Sequence, residues 1–163
     1  EVSAVYVSVS PNVPRTREHL EAMGVRVLET SGTEYCHDLI QAAEGIAEDH
    51  VLICPADLPL LRAELVADVV NEYLRRKERS LTVGIPLERA LEFGVDVTFY
   101  ECVDGRSLIP CGVSVVDRQA MLTREYLPGG YYVADTLDVV LNVNTVRDLR
   151  EAERELRARL TCP

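Results

Sequence analysis

No apolar run in this chain approaches the roughly 18 residues that a membrane-spanning helix needs. It shows no charged n-region followed by a small-residue cleavage site, so no signal peptide is visible. The five cysteines (Cys36, Cys54, Cys102, Cys111, Cys162) are scattered and form no CxxC pair. That speaks against a zinc site and for a reducing, cytoplasmic setting, with Cys54 and Cys111, in apolar runs, acting as small buried hydrophobes. Positive charge is also short: 17 Lys+Arg face 27 Asp+Glu, a formal net charge of −10. A general nucleic-acid binder needs a basic face to release counterions, so the charge argues against that class. A polyanionic substrate would need locally concentrated positive charge or a metal ion. GxSxG, P-loop and GxGxxG motifs are missing, and His19, His37 and His50 are too dispersed to ligate one metal.

What is present is an ordinary globular composition, 47% hydrophobic and 27% charged over 163 residues, enough for one domain with a full core. The chain is organised around His50–Leu61, HVLICPADLPLL. His50 to Cys54 is a short apolar, β-branched run that reads as a parallel strand buried on both faces. Asp57 then lies just past the strand's carboxyl end, where open α/β sheets place their ligands. Pro55 and Pro59 stiffen the loop. A carboxylate held this way suits a divalent cation such as Mg²⁺ carrying phosphates, or else simply caps the next helix.

Before it, Val2–Val9 reads as a strand and Pro14 opens a helix to about Met23, with Leu20 inward and Gly24 as its stop. Val25–Leu28 reads as a short strand, and 34–49 carries helical spacing through Leu39, Ile40, Ala43 and Ile46. After it, a helix over 61–77 is expected to bury Leu65, Val66, Val69, Val70, Tyr73 and Leu74. Leu81–Ile85 is a strand, Val95–Val103 another, Asp104-Gly105 a turn and Val113–Val116 a strand. Residues 117–134 are loop-rich, broken at Pro128-Gly129-Gly130. Val139–Val143 is expected as the last strand, and Thr145 with Asp148 forms a capping box for a helix over 146–160, with Glu153/Arg157 and Glu155/Arg159 pairs on its wet face. Strands alternating with helices mean an α/β domain with a mostly parallel sheet.

Three loops after strands, Ser10-Pro11-Asn12, Ser31-Gly32-Thr33 and Pro55-Ala56-Asp57, hold small polar residues that either expose N–H groups to a ligand or are plain turns. Asn142-Val143-Asn144-Thr145 carries two poor strand formers, so Asn144 caps a helix or offers an amide oxygen to a metal. Gly112, in IPCGV, suits close approach of a backbone or substrate.

Five stretches, SPNVPRTREHL (10–20), ETSGTEYCHDL (29–39), PADLPLL (55–61), LIPCGVSVVD (108–117) and NVNTVRDLREAE (142–153), together resemble the MobA-like nucleotidyltransferases. Within that family they are most similar to the archaeal adenosylcobinamide-phosphate guanylyltransferases of cobamide biosynthesis. The resemblance implies a Rossmann-like three-layer α/β/α sandwich of the nucleotide-diphospho-sugar transferase type. It implies GMP transfer from GTP to a phosphorylated small molecule, with pyrophosphate released, and a possible homodimer. By motif, Asp57 would be catalytic and bind Mg²⁺ with Asn144. Ser10, Asn12, Ser31, Gly32 and Thr33 would hold the nucleotide, and Pro110 and Gly112 would border the acceptor.

The family's glycine-rich phosphate loop lies on and after a first strand that this sequence does not contain. In the family order that strand sits between those at Val2–Val9 and His50–Cys54. The expectation is therefore a single domain over 1–163 lacking that segment, belonging to a longer enzyme and inactive alone. The two strands would pair directly, or accept another strand, to satisfy their ladders. A molybdopterin or sugar-phosphate enzyme of the same fold, or a non-catalytic nucleotide- or partner-binding member, stand as alternatives.

Overall fold

The computed structural model describes residues 2–95, 97–123, 127, 129–161; Cys162, and Pro128 of the expected break, lie outside them. Strands and helices alternate, and the chain divides into two compact units, Glu1–Val51 with Asp117–Leu127, and Leu52–Val116 with Pro128–Pro163.

In the first unit, β1 (Tyr6–Val9) and β2 (Arg26–Glu29) form a two-stranded parallel sheet in which Val9 lies opposite Glu29. Residues 2–5, expected in the strand, are outside it. The connecting helix α1 (Pro14–Ala22) starts on its proline and ends at Gly24, φ +73°, where Gly24 N–H bonds Glu21 O and Val25 N–H bonds Leu20 O. That pair of bonds is a Schellman closure, and only glycine adopts its left-handed residue without strain. Leu20 is only half-buried, because α1 buries no residue fully.

Helix α2 (Tyr35–Glu44) stops at Gly45, five residues before its expected end, leaving Ile46 outside. At its start the Glu34 carboxylate accepts from Cys36 N–H and His37 N–H at 3.0 and 2.9 Å. Those bonds hold Glu34 below the ordinary carboxylate range. A depressed pKa contributes stability above the unfolded value that is lost as pH falls through the folded one. Glu34→Gln should therefore melt below wild type at neutral pH, and the gap should close on acidification; a pH-independent gap in thermal melts would contradict this. Helix α5 (Arg118–Leu122), where a loop was expected, completes the unit: Arg118 Nε donates to Ala43 O at 2.8 Å and its N–H to Asp49 O at 2.8 Å.

The second unit contains most of a five-stranded mixed sheet ordered β3 (His50–Ile53), β6 (Arg106–Asp117), β4 (Ser80–Pro86), β7 (Gly130–Val133), with β5 (Glu101–Val103) on β6. β4 is parallel to β7 and antiparallel to β6. Its residues Leu81, Val83 and Ile85 are fully buried against Leu65, Val69 and Tyr73 of α3 (Ala63–Arg75), with Val113, Val115, Val139 and Val140. Leu74, expected inward, points to solvent, and Val66 and Val70 are half-buried. The stripe of α3 is therefore the strict i, i+4 row.

β3 is not buried on both faces: His50 is exposed and the rest half-buried, because β3 ends its sheet with β6 as its neighbour. Cys54 is exposed rather than buried. Among the described residues β1 and β3 do not pair with each other, so the direct pairing considered above does not form.

Two further expectations change. Val95–Val103 shortens to β5, because α4 (Leu87–Glu92) ends in a second Schellman closure at Gly94 and the chain then runs irregularly. The Asp104-Gly105 turn has both φ values positive, 49° and 75°, the type I′ geometry that suits a two-residue hairpin. Val139–Val143 is not a strand. Leu137–Val140 forms one helical turn, α6, with Leu141 N–H bonded to Leu137 O, and the NVNT segment follows as irregular chain. Short apolar runs are the ones periodicity cannot assign. Helix α7 (Val146–Thr161) starts with the expected box: Thr145 N–H donates to Asp148 Oδ2 at 2.8 Å, and Asp148 N–H to Thr145 Oγ1 at 3.2 Å.

Candidate functional site

Parallel, in-register β1 and β2 send the loops after them out at the same end of their sheet. Thr30, buried, donates its N–H to Val9 O at 2.9 Å and fixes where the second loop departs. The two loops are then stitched together. Asn12 Nδ2 donates to Gly32 O at 3.3 Å, and Asn12 N–H to Ser10 Oγ at 3.3 Å. Gly32 has φ +69°, and a Cβ there would stand 2.6 Å from Ser10 Cβ, so no other residue fits. Helix α2 holds the loop from beneath: Asp38 Oδ1 accepts from Gly32 N–H at 2.9 Å and Ser31 Oγ at 2.8 Å, and Gln41 Oε1 accepts from Ser31 N–H at 2.8 Å. Thr33 Oγ1 lies 2.8 Å from Ser31 Oγ. Ser10, Asn12, Ser31, Gly32 and Thr33 thus form one polar cluster. Asp38 and Gln41 were missed, since nothing in the sequence says that they turn back onto the loop.

In the second unit Asp57 follows β3 in a loop anchored by buried Leu58 and Leu60. Val143 N–H donates to Asp57 O at 2.8 Å, which brings the NVNT segment alongside. The two line a cleft of about 690 Å³ with Pro110, Cys111 and Asn144. The Asp57 carboxylate is half-buried, and no hydrogen bond to it is present among the described residues. Asn144 is exposed; its N–H donates to Asp148 Oδ2 at 3.1 Å, leaving its amide oxygen open. The same Asp148 is held below its ordinary pKa, chiefly by the Thr145 hydroxyl.

Gly112 does not line the cleft. It sits at φ +87° in a bulge of β6, where Thr82 faces Ser114 but Gly84 faces Pro110. A Cβ on it would be 2.6 Å from Pro55 Cγ, so its role is to let β6 press against the loop that carries Asp57. Gly112→Ala should cost at least about 1–3 kcal/mol from backbone strain alone. Denaturant unfolding with an unchanged midpoint would refute that assignment.

Burial pushes the Cys111 thiol up to about 11, so it stays protonated at neutral pH. The far wall is apolar, Phe93, Val95, Val97 and Phe99, in a segment whose strand-like composition hid its irregular path. Among the described residues no three His, Cys, Asp or Glu side chains gather to hold a metal by themselves. No helix among them is long and apolar enough to cross a membrane.

This fold, a Rossmann-like α/β arrangement with a mixed sheet, is shared with several solved structures. CMP:2-keto-3-deoxy-manno-octonic acid synthetase complexed with CTP superposes with a TM-score of 0.70 at 15% identity, covering 97% of this chain and 82% of its own. Molybdopterin-guanine dinucleotide biosynthesis protein A from Archaeoglobus fulgidus gives 0.62 at 14%, over 93% and 78%. The 4-diphosphocytidyl-2C-methyl-D-erythritol synthase from Anaerococcus prevotii gives 0.65 at 10%, over 96% and 79%. No curated protein matches the sequence. The MobA-like NTP transferase domain matches residues 1–155, and the chain belongs to that family of nucleotidyltransferases.

Proposed function

We propose that this protein transfers GMP from GTP to a phosphorylated small-molecule acceptor, adenosylcobinamide phosphate, and releases pyrophosphate. An acceptor phosphate oxygen attacks the α-phosphorus, and the bond to the bridging oxygen of the departing pyrophosphate breaks. Positioning and charge neutralisation carry most of such a reaction.

The observation that carries this reading is the unpaired Asp57 carboxylate, held in a cleft beside Asn144 in a chain of this family. One carboxylate and one amide oxygen are hard donors that suit Mg²⁺, which takes few protein ligands and completes its shell with water and phosphate oxygens. Bound there, the ion would neutralise charge on the phosphates. Asp57 and Asn144 would hold it, and the apolar wall would exclude water from the cleft. The cluster of Ser10, Asn12, Ser31, Gly32 and Thr33 supports a nucleobase-binding role, and Pro110 supports a border for the acceptor.

Titration of the intact protein with GTP, CTP and UTP in the presence of Mg²⁺ tests the reading. Saturable binding that is tightest for GTP is expected; absent binding, or equal affinity for all three, would sink it. A molybdopterin or sugar-phosphate acceptor would leave that result intact and appear only when acceptors are compared in a transfer assay.

A further inference from the structure

The Ser10/Asn12/Gly32 cluster contains a carboxylate that the nucleotide reading has not used. Asp38 spends one oxygen, Oδ1, on Gly32 N–H and Ser31 Oγ. No hydrogen bond to its Oδ2 is present among the described residues. At Gly32 the N–H is committed to Asp38, and the C=O already accepts from Asn12. What remains open is mostly acceptor: Asp38 Oδ2, Asn12 Oδ1 and the lone pairs of Thr33 Oγ1. The spare donors are the Ser10 hydroxyl, which accepts from Asn12 N–H and keeps its own proton, and the second N–H of the Asn12 amide.

We infer that Asp38 is the residue that selects the nucleobase, and that it selects guanine. This rests on the nucleotide-binding reading of the cluster and deepens it. Guanine alone among the common bases carries two adjacent donors, N1–H and the 2-amino group, next to an acceptor, O6. A carboxylate oxygen accepts from that donor pair, and the Ser10 hydroxyl or Asn12 amide donates to O6. Adenine and cytosine each set a ring-nitrogen lone pair beside their amino group, which would face a negative oxygen. Uracil has one donor between two acceptors. A site built to hydrogen-bond a substrate group discriminates against analogues that leave its polar groups unpaired. Through Oδ1 the same side chain positions the loop, so one residue both shapes the cluster and reads the base.

The test is calorimetric titration of the intact protein and of its Asp38→Asn variant with GTP, ITP, ATP and CTP, each with Mg²⁺. ITP lacks only the 2-amino group. Wild type should bind GTP about 10-fold more tightly than ITP and more tightly still than ATP or CTP. Asp38→Asn, which keeps an oxygen for Gly32 N–H but can place a donor where the base donates, should lose roughly 10–100-fold for GTP and little for CTP. Its preference for guanine should therefore collapse. If Asp38→Asn weakens all four nucleotides by one common factor, or keeps the guanine preference, Asp38 does not read the base and the inference is overturned. Should the variant fail to fold, equal affinity of wild type for GTP and ITP overturns it, and a 10-fold gap supports the acceptor pattern it relies on. Wild type that binds no nucleotide, or binds all four alike, instead refutes the nucleotide reading beneath it.

Discussion

Asp57→Asn is expected to abolish the Mg²⁺ dependence of GTP binding: affinity measured with Mg²⁺ should fall to the value measured without it. The carboxylate is the one charged hard ligand in the proposed pair, because Asn144 brings only a neutral amide. Losing an outer-shell partner of a bound metal already costs 10–100-fold in affinity, so losing the charged ligand should cost no less than about 100-fold in Mg²⁺ affinity. The side chain accepts no hydrogen bond among the described residues and is only half-buried, so folding should be little changed. Titrations at fixed GTP and varied Mg²⁺ would show it, and a variant that keeps its Mg²⁺ response would remove Asp57 from the metal role.

The largest effect on stability is expected at Asp138→Ala. Asp138 sits in α6 with its side chain 2% exposed and accepts from Arg62 Nε at 2.6 Å and Arg159 Nη2 at 2.9 Å. Arg159 also donates to Leu60 O at 3.2 Å. Removing the shared carboxylate leaves two guanidinium groups without their buried partner, a loss of about 3–5 kcal/mol where such pairs are fully enclosed. Arg62 is half in water, so the lower end, about 3 kcal/mol, is the better expectation. For a chain of this size that is a fall in Tm of about 6–12 °C. Asp138→Asn, which keeps oxygen and shape, should recover part of it, and a calorimetric shift under 2 °C for the alanine variant would count against the clamp.

The residues that were legible beforehand are those whose signal is local. Gly24 ends α1 because a left-handed residue closes the helix there, and Thr145 with Asp148 starts α7 because the two groups bond reciprocally within one turn. Asp57 follows β3 as expected, and although the strand expected before Asn144 does not form, the two residues line one cleft. What escaped was set by long-range partners. Val139 and Val140 are buried as a strand would bury them, but Asp138 is captured by arginines 76 positions earlier and 21 later, and the run coils into a turn instead. Arg159 makes the expected pair with Glu155 at 3.6 Å, and what the sequence did not show is that it also reaches buried Asp138 at 2.9 Å. Cys54 looked buried because its strand looked central, and β3 ends its sheet. Asp38 carried no signal in the sequence, because its contacts with Gly32 and Ser31 depend on how the loop folds back onto the helix.

The Asp138 clamp also imposes an order of events during synthesis. The loop from Asp57 to Arg62 takes one of its holds from residue 138, 76 positions after Arg62, and another from residue 159, 99 positions after Leu60. Closing contacts so far apart in sequence waits on the whole intervening chain. A nascent chain would therefore leave the ribosome with β3 written but the Asp57 loop unfixed, and the arrival of α7 would be what completes it.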